Sequence, residues 1–122
     1  MQGPLSRKGI FFDSVRAHRV QFPPKQVFQM NRFQSKVAIV TGAGCIGPGW
    51  GNGRAMAVQL AQEGATVLAL DRDLAPLQET LQRAADLRDH ITPWVCDVTQ
   101  SGQVADMVQH VLATWGRIDI LI

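Results

Sequence analysis

Tyrosine is absent from this 122-residue chain, so no phenol is available anywhere in it for acid–base work. Cysteine occurs twice, at Cys45 and Cys96, with no CxxC pair. That excludes a disulfide framework and a cysteine-rich zinc site, and it suits the reduced thiols of a cytoplasmic protein. The three histidines, His18, His90 and His110, share no metal-ligand spacing and read as surface residues. No stretch reaches the ~18 apolar residues a membrane span requires. No nuclease, protease or zinc signature occurs either. Lysine is confined to Lys8, Lys25 and Lys36, all in the first third of the chain.

That confinement exposes a division. Residues 1–36 carry seven Lys/Arg against one acid, Asp13, for a net charge of +6; residues 37–122 carry five Arg against nine acids, for −4. The basic part has prolines at 4, 23 and 24 and no sustained periodicity. It lacks the apolar core of a secretory signal. Residues 1–34 read first as a disordered leader or an upstream over-reading, since Met30 stands seven residues before the first apolar run. Organellar targeting is a second reading of its Arg-rich, acid-poor character, and a partner-binding arm is a third.

The second part is organised around residues 36–71. Val37 to Val40 is a short run rich in β-branched residues, the mark of a buried strand. A loop follows with glycines at 42, 44, 47, 49, 51 and 53. Apolar residues then recur at helical spacing from Arg54 to Glu63, and Gly64 is a plausible stop. A second buried strand, Thr66 to Leu70, ends on a lone carboxylate, Asp71. Strand, glycine loop, helix, strand, acid is the order of a dinucleotide-binding βαβ unit.

Each part has a chemical reason. The first turn of a helix leaves amide groups without partners, and a pyrophosphate needs several of them. Glycine allows a sharp turn and close approach of the phosphates. Asp71 can accept the hydroxyl protons of the adenine-side ribose, in charge-assisted bonds of roughly 1.5–3 kcal/mol each. A 2′-phosphate would meet a like charge there, which favours NAD over NADP, although Arg72 next door tempers the preference. Of two loop registers, helix physics favours Gly51-Asn52-Gly53 as the helix-proximal pair with the helix starting at Arg54, because each interior glycine costs about 1 kcal/mol. Cys45 to Trp50 is then an insertion stiffened by Pro48.

Val40-Thr41-Gly42-Ala43-Gly44, Gly51-Asn52-Gly53-Arg54-Ala55 and Glu63-Gly64-Ala65 resemble the cofactor half of the short-chain dehydrogenase/reductase family. That family's fingerprint is TGxxxGxG, and the first two glycines here stand further apart. Cys96-Asp97-Val98 and Gly116-Arg117-Ile118-Asp119-Ile120-Leu121 extend the resemblance, which covers Ser35 to Ile122. It implies cofactor contacts from Thr41, Gly42, Gly44, Gly51, Asn52, Gly53, Asp71 and Arg72. It also sets Asp97 near the adenine amino group, with the Val98 amide beside the ring. The alternative is that Asp97 caps the following turn. Arg54 either approaches a phosphate or faces solvent, and Trp50 either closes over the cofactor or packs the loop. Cys45 reads as a small loop filler before it reads as a reactive thiol.

Further on, Asp73 can cap a helix from Leu74 to about Ala85, with Leu74, Leu77, Leu81 and Ala84 on its buried face. A third strand is expected at Ile91 to Cys96. A third helix follows at Ser101 to Trp115, capped by Thr99 or Ser101, with Val104, Val108, Val111 and Trp115 buried and Gly116 as its stop. A fourth strand begins at Ile118. The expected fold is three-layer, Rossmann-like α/β over residues 35–122, a doubly wound parallel sheet in order 3-2-1-4, with two helices on one face and the third on the other.

In the family a Ser and a Tyr-x-x-x-Lys pair follow later, and the chain holds neither a tyrosine nor a lysine beyond Lys36. It looks cut after Ile122. The expectation is therefore the N-terminal, NAD-binding part of an oxidoreductase for a hydroxyl/carbonyl pair, inactive by itself. Its partners are the dinucleotide and, in the complete protein, a small-molecule substrate and further copies of itself. Neither nucleic acid nor membrane is expected. Competing classes are a non-catalytic nucleotide-binding module or remnant, and an S-adenosylmethionine methyltransferase. Thr41-Gly42, Asp97-Val98 and the GRIDIL strand disfavour the latter.

Overall fold

A computed structural model describes residues 31–122; the leader reading for residues 1–30 lies outside the described residues. Strands β1 (Val37–Val40), β2 (Thr66–Asp71), β3 (Ile91–Val95) and β4 (Ile120–Leu121) alternate with helices α1 (Asn52–Gln62), α2 (Leu74–Ala84) and α3 (Ser101–Trp115). A 3-10 turn, Ala85–His90, joins α2 to β3. The sheet is parallel throughout, in the expected order β3-β2-β1-β4.

Parallel strands covered on both faces have continuous apolar runs, and β1 and the centre of β2 are buried without interruption. Alternation sorts their side chains. Ala38, Val40, Val67 and Ala69 pack with Ala57, Leu60 and Ala61 of α1 and Leu77 and Ala84 of α2. Val37, Ile39, Leu68 and Leu70 face the other way, with Met107 and Val111 of α3. Two helices thus cover one face and one covers the other, as expected.

On the α1 side the sheet presents Ala38 and Ala69 beside Val40 and Val67, and the small side chains let the helix come close. At the head of α1 the approach is extreme. A Cβ built on Gly53 would stand 1.9 Å from the Gly42 carbonyl oxygen. This corrects the expected helix start. The helix begins at Asn52, with Gly51 as N-cap, so Gly53 lies inside the first turn. Its helix-propensity cost is outweighed because no side chain fits between helix and turn.

Other expectations shift for similar tertiary reasons. Asp73 and Gln100 occupy the N-cap positions of α2 and α3, but neither side chain makes a capping bond. Leu74, expected inside, is 48% exposed, while Thr80 is fully buried beside Leu77 and Ala84. At this end of α2 it is Pro76 that lies against the glycine turn. Met107 joins Val111 as a buried residue of α3, whereas Val104, Val108 and Trp115 are partly buried. His110 is not a free surface residue: its ring stacks on Trp94 at 4.3 Å and meets Trp115 edge-on at 6.0 Å. Gly116 ends α3 in the left-handed conformation, as anticipated. The fourth strand is shorter than expected, although backbone bonds to β1 flank it: the Ile122 amide donates to the Ile39 carbonyl at 2.9 Å, and the Val37 carbonyl accepts at 2.8 Å from the amide of Asp119. Its carboxylate accepts the Val37 amide at 2.8 Å and both Arg117 donors at 2.8 Å.

Residues 31–34, assigned above to the leader, belong to the domain. Phe33 packs on the α1–α2 side of the core and its amide bonds the Glu63 carbonyl at 3.0 Å. Arg32 grips the Glu63 carboxylate through two nitrogens. That hydrogen bond holds Glu63 down to about 2, against the burial that pushes it up.

Two outcomes follow from this packing. Gly53→Ala should destabilise the domain by about 2–3 kcal/mol despite alanine's better helix propensity. In thermal melts that is a fall of about 10–20 °C for a domain of this size; an unchanged or raised Tm contradicts the close approach. A depressed folded-state carboxyl stabilises above its unfolded value and loses that contribution as pH falls towards the folded one. The Arg32–Glu63 contribution is therefore complete above pH 4.5 and fades towards pH 2. The Tm gap between the unaltered chain and Glu63→Gln should shrink across that window, and a constant gap would refute the pairing.

Candidate functional site

The carboxyl ends of β1 and β2 open onto two adjoining clefts. The larger, about 760 Å³, is walled by the glycine loop (Gly42, Gly44, Cys45, Ile46, Gly47), the head of α1 (Gly51, Asn52, Gly53) and Asp71 to Asp73 with Pro76. The smaller, about 410 Å³, lies between the ends of β1, β2 and β3, against Thr41, Gly42, Leu70, Asp71, Arg72, Cys96, Asp97, Val98 and Thr99. Gly42, Asp71 and Arg72 border both. Each of the ten residues singled out from the sequence therefore lines one cleft or both, although they span positions 41 to 98.

Local structure explains why they meet. The Ala43 amide bonds the Leu70 carbonyl at 2.8 Å, which ties the glycine turn to the end of β2. One residue on, the Gly44 amide donates to Asp71 Oδ2 at 2.9 Å, and the Arg72 amide donates to Oδ1 at 2.8 Å. Gly44 has to be glycine: a Cβ there would lie 2.4 Å from Pro76 Cβ and 2.8 Å from Asp71 Oδ2. Asp71 thus already braces the loop. Each of its oxygens keeps a further lone pair for a ligand hydroxyl, since a carboxylate offers about four acceptor sites.

The head of α1 faces the larger cleft through Asn52 and Gly53. Amides of a first turn have no partner earlier in their own helix, and the helix dipole adds partial positive charge. No acidic side chain occupies that turn to oppose an anion. The backbone here fits a diphosphate.

At the smaller cleft, Asp97 both borders the cavity and forms a turn. Its Oδ1 accepts the Thr99 hydroxyl at 2.7 Å and the Thr99 amide at 2.9 Å, and these bonds hold its pKa below the usual carboxylate range. The turn-capping reading of Asp97 accounts for these bonds, and the residue also borders the cleft. The Asp97 amide is engaged by Gln103 at 2.8 Å. Val98 is 55% exposed at the cleft rim. Thr41 directs its hydroxyl to the Ile122 carbonyl at 3.0 Å. The buried Cys96 thiol is pushed up, first by its burial and then by the Asp97 charge.

Both readings of Arg54 fail here, and of the two for Trp50 the one beside the cofactor finds no support. Arg54 neither faces solvent nor borders a cleft. It is fully buried, donating to Thr80 Oγ1 at 2.9 Å, to the Pro76 carbonyl at 3.1 Å and to the Gly49 carbonyl. Trp50 borders neither cleft; it is half exposed, with the Arg83 guanidinium 5.7 Å from its ring centre. Thr80 escaped the sequence reading altogether. Its signal was a hydroxyl on an otherwise apolar helix face, which requires a partner.

Comparison with known proteins agrees with this geometry. The family model for short chain dehydrogenases matches residues 36–122. The chain is 36% identical over 91 residues to the 3-oxoacyl-(acyl-carrier-protein) reductase of Thermotoga maritima, covering 75% of this chain and 35% of that protein. Among solved structures it is 57% identical to a short-chain dehydrogenase/reductase from Burkholderia xenovorans, with a TM-score of 0.70 over 74% of this chain and 36% of that one. A metagenomic short-chain oxidoreductase in complex with NADP is 31% identical, with a TM-score of 0.64 over 73% of this chain and 38% of that one. The 3-ketoacyl-(acyl-carrier-protein) reductase of Brucella melitensis, complexed with NADH, is also 31% identical, with a TM-score of 0.62 over 73% of this chain and 33% of that one. The chain spans about a third of the length of the curated relatives it matches. Sheet order, cleft position and a family match across the whole of the sheet point one way, and the chain belongs to the short-chain dehydrogenase/reductase family of oxidoreductases.

Proposed function

We propose that residues 31–122 form the dinucleotide-binding part of an oxidoreductase that interconverts a hydroxyl and a carbonyl group, with NAD preferred to NADP. The observation that carries this reading is the meeting of the glycine turn, the head of α1 and Asp71 around one cleft. The nicotinamide ring of the bound cofactor would supply the hydride chemistry. The chain's own work is to bind and orient. The Asn52 and Gly53 amides take the diphosphate. The spare lone pairs of Asp71 take the adenine-side ribose hydroxyls. The smaller cleft takes the adenine, with Asp97 and Val98 at its edge. A 2′-phosphate would be placed against the Asp71 carboxylate, and among the described residues that line the clefts the exposed Arg72 is the one cation to offset it.

For the 122-residue chain by itself the proposal is binding without turnover. It has no tyrosine, and its lysines all precede β1. The unpaired thiols of Cys45 and Cys96 support a cytoplasmic setting.

Calorimetric titration with NAD, NADP and S-adenosylmethionine tests the reading. NAD should bind most tightly and S-adenosylmethionine not at all. Asp71→Asn keeps an acceptor for the Gly44 amide but removes the charge; it should weaken NAD about tenfold or more and narrow the gap to NADP. Equal or tighter NADP binding by the unaltered chain would remove the role given to Asp71, and preferred S-adenosylmethionine binding would overturn the class.

A further inference from the structure

We propose that Arg54 and Thr80 form a buried clamp that holds the glycine loop in its phosphate-binding shape, making both of them positioning residues for the dinucleotide although neither borders a cleft. The inference rests on the reading of the cleft given above and adds the device that shapes it.

Arg54 is a charged side chain with no exposed surface, in the first turn of α1. Burial of a cation demands compensation, normally by a close carboxylate. Here the closest carboxylate is Glu79 at 3.3 Å, and Glu79 is bound more closely by Arg83, at 2.9 Å. Besides that ion pair, the guanidinium directs its fork at main-chain carbonyls and a hydroxyl. One Nη donates to the Gly49 carbonyl, in the inserted part of the loop; the other donates to the Pro76 carbonyl at 3.1 Å, in the first turn of α2. Nε donates to Thr80 Oγ1 at 2.9 Å.

Thr80 carries the linkage onward. Its hydroxyl, also fully buried, donates to the Ala43 carbonyl at 2.7 Å. The Ala43 amide is already committed to Leu70, so both main-chain groups of the turn residue are pinned, one to β2 and one to α2. Gly44 follows directly, with Pro76 against it and Asp71 on its amide. One side chain on α1 is therefore tied to three segments around the larger cleft: the turn at 43–44 through Thr80, the inserted loop at Gly49 and the start of α2 at Pro76. A planar fork of donors can hold three acceptors in fixed directions, which an ammonium group cannot.

Thr80→Val is the informative variant, because it keeps the shape and removes the hydroxyl. Amide hydrogen exchange reads the clamp without any ligand. Exchange at Gly44 should quicken at least tenfold, while amides of β1 and β2 keep their protection. Titration then reads the consequence. NAD and ADP should bind about tenfold more weakly, adenosine, which has no phosphate, should be unchanged within about twofold, and Thr80→Ser should restore both behaviours. If Thr80→Val does not fold, Arg54→Lys, which keeps the charge but not the fork, should show the same split. Unchanged Gly44 exchange, or equal weakening of adenosine and ADP, overturns the clamp. Selective loosening at Gly44 in a chain whose unaltered form binds no NAD would support the clamp and sink the cofactor reading instead.

Discussion

Everything at the ligand end of this sheet depends on how closely the head of α1 lies against the turn that follows β1. No methyl group fits between Gly53 and the Gly42 carbonyl. The contact is helped by small side chains on both sides of the seam: Ala38, Ala43, Ala57, Ala65 and Ala69 are all buried, with 1% exposure or less, beside Val40 and Val67. Larger side chains would lift the helix and carry its first-turn amides away from the cleft. The proposed phosphate site is thus a product of core packing as much as of loop composition.

The chain's fold was legible because its signals are redundant. Buried parallel strands must be apolar throughout, helices must carry an apolar stripe, and right-handed crossovers leave one arrangement for β1 to β4. The site was legible for a related reason: topology alone brings Thr41, Asp71 and Asp97, at successive strand ends, to one edge of the sheet. What escaped the reading was set by contacts across the fold. Propensity argued for a helix starting at Arg54, yet the fit of Gly53 against Gly42 draws the start back to Asn52. Leu74 has the right spacing for burial, but Pro76 makes the contact at that end of α2. His110 carries no local sign that it lies between Trp94 and Trp115, because those rings come from a strand and from the next turn of α3.

In the proposed function, one carboxylate, Asp71, serves structure and recognition together. A carboxylate that only bound ribose would be free to turn away when the ligand is absent. Here the Gly44 and Arg72 amides hold both oxygens, one each, so the group faces the cleft before any ligand arrives. Preorganisation of this kind reduces the ordering cost of binding. The Arg72 amide belongs to the same strand end as Asp71, so one oxygen stays held even where the glycine loop loosens.

The burial of Arg54 follows from the same economy of shape. A hydrophobic side chain of similar size would fill its space without the desolvation penalty of a buried charge. It would leave the carbonyls of Gly49 and Pro76 without these donors and Thr80 without its guanidinium partner. Glycine-rich segments have little intrinsic preference for one conformation, so a loop with six glycines between residues 42 and 53 needs its carbonyls held from outside. Arg54 and Thr80 supply that restraint from the two helices that flank the loop. The polar groups in this part of the core thus favour one loop conformation over its neighbours, and that selection is what a backbone-built anion site requires.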